Sequence, residues 1–235
     1  MALSRDSFKR RRLGLTAFTA GRLPIGRPCP ANRLAGVAQG LDIRAGYEVA
    51  MARLFLVRHG EPKATWGGAE ADPGLSDLGR AQAEAAASAL ALLGRFNIVS
   101  SPLQRARQTA AATARLLGGS IAIEPRIGEI AAPPQIEDRR AWLQALMRPG
   151  LGWRDADPAL RAWRADLLAA IGEISEDVAM FSHFVAINVV TGAACGRDAI
   201  GVCTPALASI SEFVVEPAGI RLISGAPFAG EASAT

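Results

Sequence analysis

The sequence of 235 residues predicts an α/β domain, a three-layer α/β/α sandwich with a mostly parallel central sheet. Two observations predict this fold class. From Met51 onward, short apolar runs typical of buried strands alternate with longer stretches that have the period of an amphipathic helix. The composition, with 50% hydrophobic and 20% charged residues, is that of a globular chain, and it excludes disordered, collagen-like and disulfide-framework proteins.

The expected strands are short and separated by helical or turn-forming stretches. The first covers 53–57, a short apolar run that suits a strand buried on both faces. The others are expected at 97–100, 121–124, 178–182, 209–215 and 220–224.

Helices are expected between these strands, at 76–93, 102–117, 137–147, 157–172 and 184–195. Ser76 is suited to cap the first helix, and Ser101, which is followed by Pro102, is suited to cap the second. Gly118 should end the second helix. The side chains of the first helix that are expected in the core are Leu78, Ala81, Ala85, Leu90 and Leu92.

The first fifty residues differ from the rest of the chain in charge and in pattern. They contain nine Lys and Arg against three acidic residues, so the pI near 9.5 comes from this segment while the remainder is slightly acidic. They have no helical or strand period and are punctuated by glycine and proline. We interpret residues 1–50 as a disordered extension upstream of a natural start at Met51, with an organelle targeting segment as the alternative.

The domain is therefore expected to span 51–235 and to fold without the first fifty residues. Because a nucleic-acid function would rest on that segment alone, we expect no nucleic-acid partner. No stretch approaches the roughly 20 uninterrupted apolar residues of a membrane span, so we expect no membrane association and a cytoplasmic protein, unless residues 1–50 target an organelle. Cys29, Cys195 and Cys203 lack metal-ligand spacing, which indicates a reducing compartment and no metal site.

The whole chain contains only two histidines, and both follow expected strands. His59 comes directly after the first strand, and His183 comes after the fourth. In open α/β sheets, ligands bind beyond the carboxyl ends of the strands. Arg58 precedes His59, and Arg105 lies in the first turn of the second helix, so both guanidiniums should reach the same edge. Two imidazoles, two guanidiniums and a helix N-terminus suit a phosphoryl group.

Four segments in order carry a resemblance to a known family. They are 58–61 (RHGE), 75–83 (LSDLGRAQA), 100–110 (SSPLQRARQTA) and the Ser182-His183 pair. Together they resemble the histidine phosphatase superfamily, which has the phosphoglycerate-mutase-like fold, over about residues 52–224. The first fifty residues have no counterpart in the family core.

The resemblance implies a role for each candidate residue. His59 would be the nucleophile that forms a phosphohistidine, and Arg58, Arg105 and His183 would hold the phosphoryl oxygens. Glu129 would be the proton donor, although the residues that follow it depart from the family pattern, and Glu61 is the alternative donor. The chemistry would need no metal or cofactor. Arg107, on the opposite side of its helix from Arg105, is expected in solvent.

The sequence gives less information about the substrate than about the reaction. Residues 130–156 form a short insertion of the kind that caps the pocket in this family, and the arginines there that could meet anionic substrate groups are Arg139, Arg140, Arg148 and Arg154. The tryptophans Trp142, Trp153 and Trp163 are interpreted as packing residues. Thr65 replaces a phosphate-contacting asparagine of the family.

The short insertion and Thr65 favour a phosphomonoester hydrolase of the histidine acid phosphatase type over a phosphoglycerate-mutase-type phosphotransferase. A non-catalytic phosphate-binding protein is the third hypothesis. The expected partner is a small phosphorylated metabolite, and a homodimer is a further possibility that the sequence leaves open.

Overall fold

The apolar runs become six strands of one sheet in the computed structural model, which describes residues 51–64, 70 and 72–229. The strands are β1 (Ala52–Arg58), β2 (Asn97–Ser100), β3 (Ile121–Ile123), β4 (Val178–Ser182), β5 (Ile210–Glu216) and β6 (Gly219–Ser224). Their order in the sheet is β3-β2-β4-β1-β5-β6. The first four in that order pair in parallel, and β5 and β6 add antiparallel pairings at one side, so the sheet is mostly parallel as predicted.

The five helices lie along the chain as α1 (Asp77–Ala91), α2 (Gln104–Leu117), α3 (Arg139–Leu146), α4 (Pro158–Gly172) and α5 (Phe184–Ala194). Alternate side chains of β1 face two different cores because successive residues of a strand point to opposite faces. Phe55 and Val57 pack with residues of α1 and α2, whereas Leu54 and Leu56 pack with residues of α4 and α5. The predicted three-layer sandwich is therefore confirmed.

The register of the central strands determines where the site lies. Arg58 at the end of β1 is opposite Ser182 at the end of β4, and Ser100 at the end of β2 is opposite Phe181. The residues that follow these strands, His59, His183 and Ser101, therefore leave the sheet at one edge.

The face of α1 that enters the core differs from the one expected from the sequence. Leu78 and Leu92 are 55% and 87% exposed, and only Leu90 of the expected set is buried. The buried positions are Gly79, Ala83, Ala86, Ala87 and Leu90. The reason is steric, because a Cβ atom on Gly79 would overlap the carbonyl of Glu61, and only a face of small residues allows so close an approach.

The start of α2 also differs from the expectation. The helix begins at Gln104, after Leu103, and Ser101 does not cap it. The expected end is confirmed, since Gly118 adopts the left-handed conformation with φ of 72° that glycine tolerates best. Trp153 is buried in the larger core, and Trp142 and Trp163 pack against it, so all three are packing residues as interpreted.

Several expectations lie outside the described residues, namely those about residues 1–50, including Cys29, and about Thr65. Cys195 and Cys203 are buried, and neither forms a disulfide. Within residues 51–64, 70 and 72–229, none of the helices combines the length and the hydropathy that crossing a bilayer requires.

Candidate active site

Backbone hydrogen bonds hold the loop that follows β1. The backbone N–H of His59 donates to the carbonyl of Ser182 at 3.0 Å, and the carbonyl of His59 accepts from Ala208 at 3.2 Å. His59 is therefore held between the end of β4 and the turn that precedes β5, at the carboxyl edge of the sheet.

The hydrogen bonds of the His59 ring determine its tautomer. Nδ1 lies 2.7 Å from the carbonyl oxygen of Gly60, and because a carbonyl only accepts, Nδ1 carries the proton. Nε2 is then unprotonated, and it accepts a hydrogen bond from Nε of Arg105 at 3.2 Å. The lone pair suited to nucleophilic attack is therefore on Nε2.

The surroundings of His59 keep the ring neutral. The pKa of His59 is lowered to about 3, mainly by burial and to a smaller extent by the guanidiniums of Arg105 and Arg58, whereas the hydrogen bond to Gly60 acts in the opposite direction. Removal of the ring from water is the largest of these effects. A neutral imidazole at physiological pH is the state that a nucleophile needs.

Arg105 lies in the first turn of α2 and is positioned from two sides. Its Nε bonds His59, and its Nη1 lies 3.7 Å from the carboxylate of Asp72. The same carboxylate accepts from the backbone N–H of Gln104, at 2.9 and 3.0 Å from its two oxygens. Asp72 thus caps α2 in place of the expected Ser101. It was missed in the sequence because it lies 32 residues from the helix it caps.

Arg58, the last residue of β1, is the second guanidinium of the site. Its Nη1 donates to the carbonyl of Pro205 at 2.7 Å, and its guanidinium carbon lies 4.9 Å from the centre of the Phe184 ring. Its Nε is buried without a partner among the described residues. Burial lowers the pKa of Arg58, and the carboxyl of Glu129 raises it, so the group stays a cation.

His183 lies behind His59 and does not line the cavity. The side chain is fully buried, and its ring centre is 5.1 Å from that of His59. Its Nε2 lies 2.8 Å from the hydroxyl of Ser101, and its Nδ1 has no partner among the described residues. Burial lowers the pKa of His183 well below its usual range, so this ring is neutral as well.

Glu129 supplies a carboxyl group to the same cavity as Arg58, His59 and Arg105. It is partly buried, and it accepts from the backbone N–H of Ile130 at 3.0 Å. Burial raises the pKa of Glu129 to about 7, although Arg105 and Arg58 act to lower it. A carboxyl group with this pKa is protonated in a large share of molecules near neutral pH and is suited to general acid catalysis.

The family-like segments support the loop that carries His59. The hydroxyl of Ser76 donates to the carboxylate of Glu61 at 2.8 Å, and Gln82 accepts from the backbone N–H of Glu61 at 2.8 Å. Thr109 accepts from the backbone N–H of Gly60 at 3.0 Å. A Cβ atom on Gly60 would overlap the carbonyl of Gly79. Glycine is therefore required at position 60 because its backbone lies against that of Gly79, and not because of its φ angle, which is not positive. Glu61, the alternative donor, is engaged with Ser76.

These side chains surround a cavity of about 760 Å³, which is far larger than a phosphoryl group. It is lined by Arg58, His59, Arg105 and Glu129, and also by Leu143, Phe184 and Leu207. The part of the lining that is exposed, here called its outer wall, includes Lys63 and Arg139. Two side chains of α3, in the expected insertion, thus line the cavity.

The other arginines of the insertion lie elsewhere. Arg140 and Arg148 do not line this cavity, and Arg154 donates to Asp198 at 2.7 Å. Arg107 is exposed, as expected. Within the part of the chain that the structure describes, no group of three or more His, Cys, Asp or Glu side chains is placed to hold a metal ion.

The family model described as histidine phosphatase superfamily (branch 1) matches residues 54–224. The chain belongs to the histidine phosphatase superfamily. Among the residues that the structure describes, the match extends from within β1 to the end of β6 and includes the helices α1 to α5. The four segments that carried the resemblance lie inside it.

Named relatives of this superfamily member include several mycobacterial proteins. The glucosyl-3-phosphoglycerate phosphatase of Mycolicibacterium vanbaalenii is 42% identical over 80 residues, which are 33% of this chain and 36% of the relative. The bifunctional protein Rv2228c of Mycobacterium tuberculosis is 34% identical over 129 residues, 48% of this chain and 35% of the relative. The chain therefore spans about a third of the length of the curated relatives it matches.

Solved structures resemble the fold at low sequence identity. The native structure of mycobacterial glucosyl-3-phosphoglycerate phosphatase Rv2419c has a TM-score of 0.57 at 22% identity, covering 77% of this chain and 100% of that one. A mutant phosphoserine phosphatase from Entamoeba histolytica in complex with phosphoserine has a TM-score of 0.58 at 18% identity, covering 74% and 96%. These likenesses establish the shared fold.

Proposed function

We propose that this histidine phosphatase superfamily member is a phosphomonoester hydrolase of the histidine acid phosphatase type. The observation that carries the proposal is the state of His59, whose neutral ring keeps the Nε2 lone pair at a cavity that two guanidiniums and the carboxyl group of Glu129 also line. The family membership and the phosphatases among the relatives support the same activity.

In the first step, Nε2 of His59 attacks the phosphorus atom of the ester. An N–P bond forms, and the P–O bond to the alcohol breaks. Arg58 and Arg105 stabilise the charge on the phosphoryl oxygens, and the carboxyl proton of Glu129 passes to the leaving alkoxide. Because two guanidiniums supply the positive charge, the proposed reaction is independent of metal.

In the second step, water replaces the alcohol as the reacting group. Glu129, now a carboxylate, takes a proton from the water as its oxygen attacks phosphorus. The N–P bond breaks, inorganic phosphate leaves, and both His59 and Glu129 return to their starting states. A mutase would instead return the phosphoryl group to a second hydroxyl of a bound intermediate.

The proposed substrate is a small phosphomonoester whose alcohol part carries a further anionic group. The cavity has room beyond the phosphoryl group, and Lys63 and Arg139 line its outer wall. Arg139 is exposed at the start of α3, where it is free to extend toward a carboxylate. The name glucosyl-3-phosphoglycerate phosphatase of one relative indicates a substrate of this chemistry, since phosphoglycerate carries a carboxylate.

A metal-free assay tests the proposal. Chelator-treated wild type is expected to hydrolyse members of a panel of phosphate esters and to form an acid-labile, base-stable phosphoenzyme in rapid-quench experiments. The His59→Ala variant should lose at least about 10³-fold in kcat and form no phosphoenzyme. If the wild type shows neither turnover nor a phosphoenzyme, the hypothesis of a non-catalytic phosphate-binding protein is favoured instead. A requirement for a bisphosphorylated primer would indicate a mutase.

A further inference from the structure

The hydroxyl of Ser101 connects the loop after β2 to the buried histidine after β4. The two residues are 82 positions apart in sequence, and Oγ of Ser101 lies 2.8 Å from Nε2 of His183. The backbone N–H of Ser101 donates to Phe181 at 3.0 Å, and its Oγ accepts from the N–H of Leu103 at 3.2 Å. Both Ser101 and His183 are fully buried, so water is not available to replace these contacts.

The number of buried donors and acceptors left unpaired differs between the two tautomers of His183, and this difference decides the directions of the hydrogen bonds. If Nε2 of His183 carried the proton, it would donate to Ser101, and the hydroxyl hydrogen of Ser101 would lack an acceptor among the described residues. Nδ1 would then be an unpaired acceptor as well. If Nδ1 carries the proton, the hydroxyl donates to Nε2 and only the Nδ1–H lacks a partner. Since unsatisfied buried polar groups are costly, the second arrangement is the more stable.

We propose that Ser101 is a positioning residue, which holds His183 in the tautomer that carries its proton on Nδ1. The Nδ1–H is then a buried donor without a partner among the described residues. Although His183 does not line the cavity itself, its ring centre lies 5.1 Å from that of His59, so an oxygen of a phosphoryl group held at His59 is the acceptor assigned to this donor. The catalytic consequence rests on the proposed function, whereas the tautomer itself does not.

In each of the two histidines, a hydrogen bond at one ring nitrogen fixes the tautomer, but the bonded nitrogen and its partner differ. The carbonyl of Gly60 takes the Nδ1 proton of His59 and leaves Nε2 free to attack. The hydroxyl of Ser101 occupies Nε2 of His183 and leaves Nδ1–H free to donate. A neutral imidazole has one N–H, so the hydrogen bond at one nitrogen decides what the other nitrogen offers. Neighbouring rings of the same residue type thus acquire opposite roles, one as nucleophile and one as donor.

Long-range ¹H–¹⁵N NMR of the two side chains tests the proposal directly, because the untagged full chain has only two histidines. A His59→Asn variant assigns the remaining signals to His183. In wild type, His183 is expected to be protonated at Nδ1. In Ser101→Ala, a measurable share should move to the Nε2-protonated form, and Ser101→Thr, which keeps the hydroxyl, should restore the wild-type spectrum.

Ser100→Ala is the matched control. Ser100 is equally buried, but its hydroxyl donates to the backbone carbonyl of Ser101 at 2.9 Å and touches no histidine. It should alter stability without changing the tautomer of His183. If Ser101→Ala does not fold, the wild-type and Ser101→Thr spectra still decide the question.

Binding of inorganic vanadate and steady-state kinetics give the second readout. Loss of the oriented donor should weaken vanadate binding and lower kcat/KM roughly 10- to 100-fold in Ser101→Ala, with most of the loss recovered in Ser101→Thr. The proposal is overturned if wild-type His183 is protonated at Nε2, or if Ser101→Ala keeps both the Nδ1 tautomer and the vanadate affinity. Failure of the proposed function would instead appear as absence of turnover with the tautomer result intact.

Discussion

The Nε of Arg105 lies 3.2 Å from Nε2 of His59 and donates a hydrogen bond to it. The guanidinium of Arg105 therefore occupies the lone pair that is expected to attack phosphorus. An incoming phosphoryl group offers oxygens that are stronger acceptors than imidazole, so Arg105 can turn from the ring to the substrate and uncover Nε2 in the same movement. We therefore predict that binding of the anion and release of the nucleophile are coupled.

Arg105→Lys is expected to lower kcat/KM about 10²- to 10³-fold, a loss comparable to that of a charge-stabilising donor in other enzymes. Lysine keeps the charge but lacks the planar fork that binds two oxygens together. The measurement is steady-state kinetics, together with the inhibition constant of inorganic phosphate, which should rise in parallel.

Arg107→Ala is the matched control for Arg105, because this arginine is exposed on the same helix two residues later. It should leave both kinetic constants unchanged. Equal losses in the two variants would mean that the helix N-terminus and the overall charge, and not the contact with His59, hold the phosphate.

The pH dependence of turnover should report Glu129. Its pKa is raised to about 7, and a general acid acts in its protonated form, so kcat is expected to fall as the pH rises through about 7. Glu129→Gln should lower kcat about 10²- to 10⁴-fold at pH 6 and remove this alkaline decline. Rate measurements between pH 5 and 9 for both proteins make the comparison.

The leaving group offers a control for the role of Glu129. An alkyl phosphate needs the proton more than p-nitrophenyl phosphate does, since nitrophenolate is a stable anion. Glu129→Gln should therefore lose more activity on the alkyl ester. Equal losses on both esters, or an unchanged pH profile, would move the acid role to the alternative residue Glu61.

Gly79→Ala should destabilise the domain, because the added Cβ overlaps the carbonyl of Glu61 and the loop that carries His59 has to move. Overpacking of this kind costs about 1–3 kcal/mol in the free energy of unfolding. Urea denaturation measures it, and kcat should fall with it. Gly172→Ala serves as the comparison, since no atom lies within 4 Å of a Cβ there and its stability should not fall. Similar losses at both glycines would contradict the close-approach explanation.

Arg139→Ala should raise KM for 3-phosphoglycerate, by up to about fivefold as for other exposed ion pairs, and leave KM for p-nitrophenyl phosphate unchanged. The reason is that Arg139 lines the outer wall of the cavity, where only a substrate with a second anion reaches it. Arg140→Ala, the neighbouring exposed position outside the cavity, should change neither constant. A rise in KM for both esters would place Arg139 at the phosphoryl group itself.

The order of the elements was predictable because each one depends on neighbours in the chain. The alternation of apolar runs and helical periods located all six strands and all five helices, with ends that differ by only a few residues. The motifs around His59 and Arg105 were recognisable for the same reason, since their glycine, serine and threonine residues lie at set spacings from those side chains. The face of α1 was not predictable, because the contact between Gly79 and Glu61 is made across a turn and outweighs the pattern of large apolar residues.

The sequence by itself determined the fold class, the family and the residues at the ends of β1 and β4, because these follow from local pattern and motif. The tertiary structure alone decided the protonation states and the orientations of those side chains. Burial made both imidazoles neutral and raised the pKa of Glu129 to about 7, and contacts from distant positions, Asp72 to Arg105 and Ser101 to His183, set the orientation of Arg105 and His183. Burial and long-range contacts exist only once the chain has folded, so the reactivity of the site belongs to the fold.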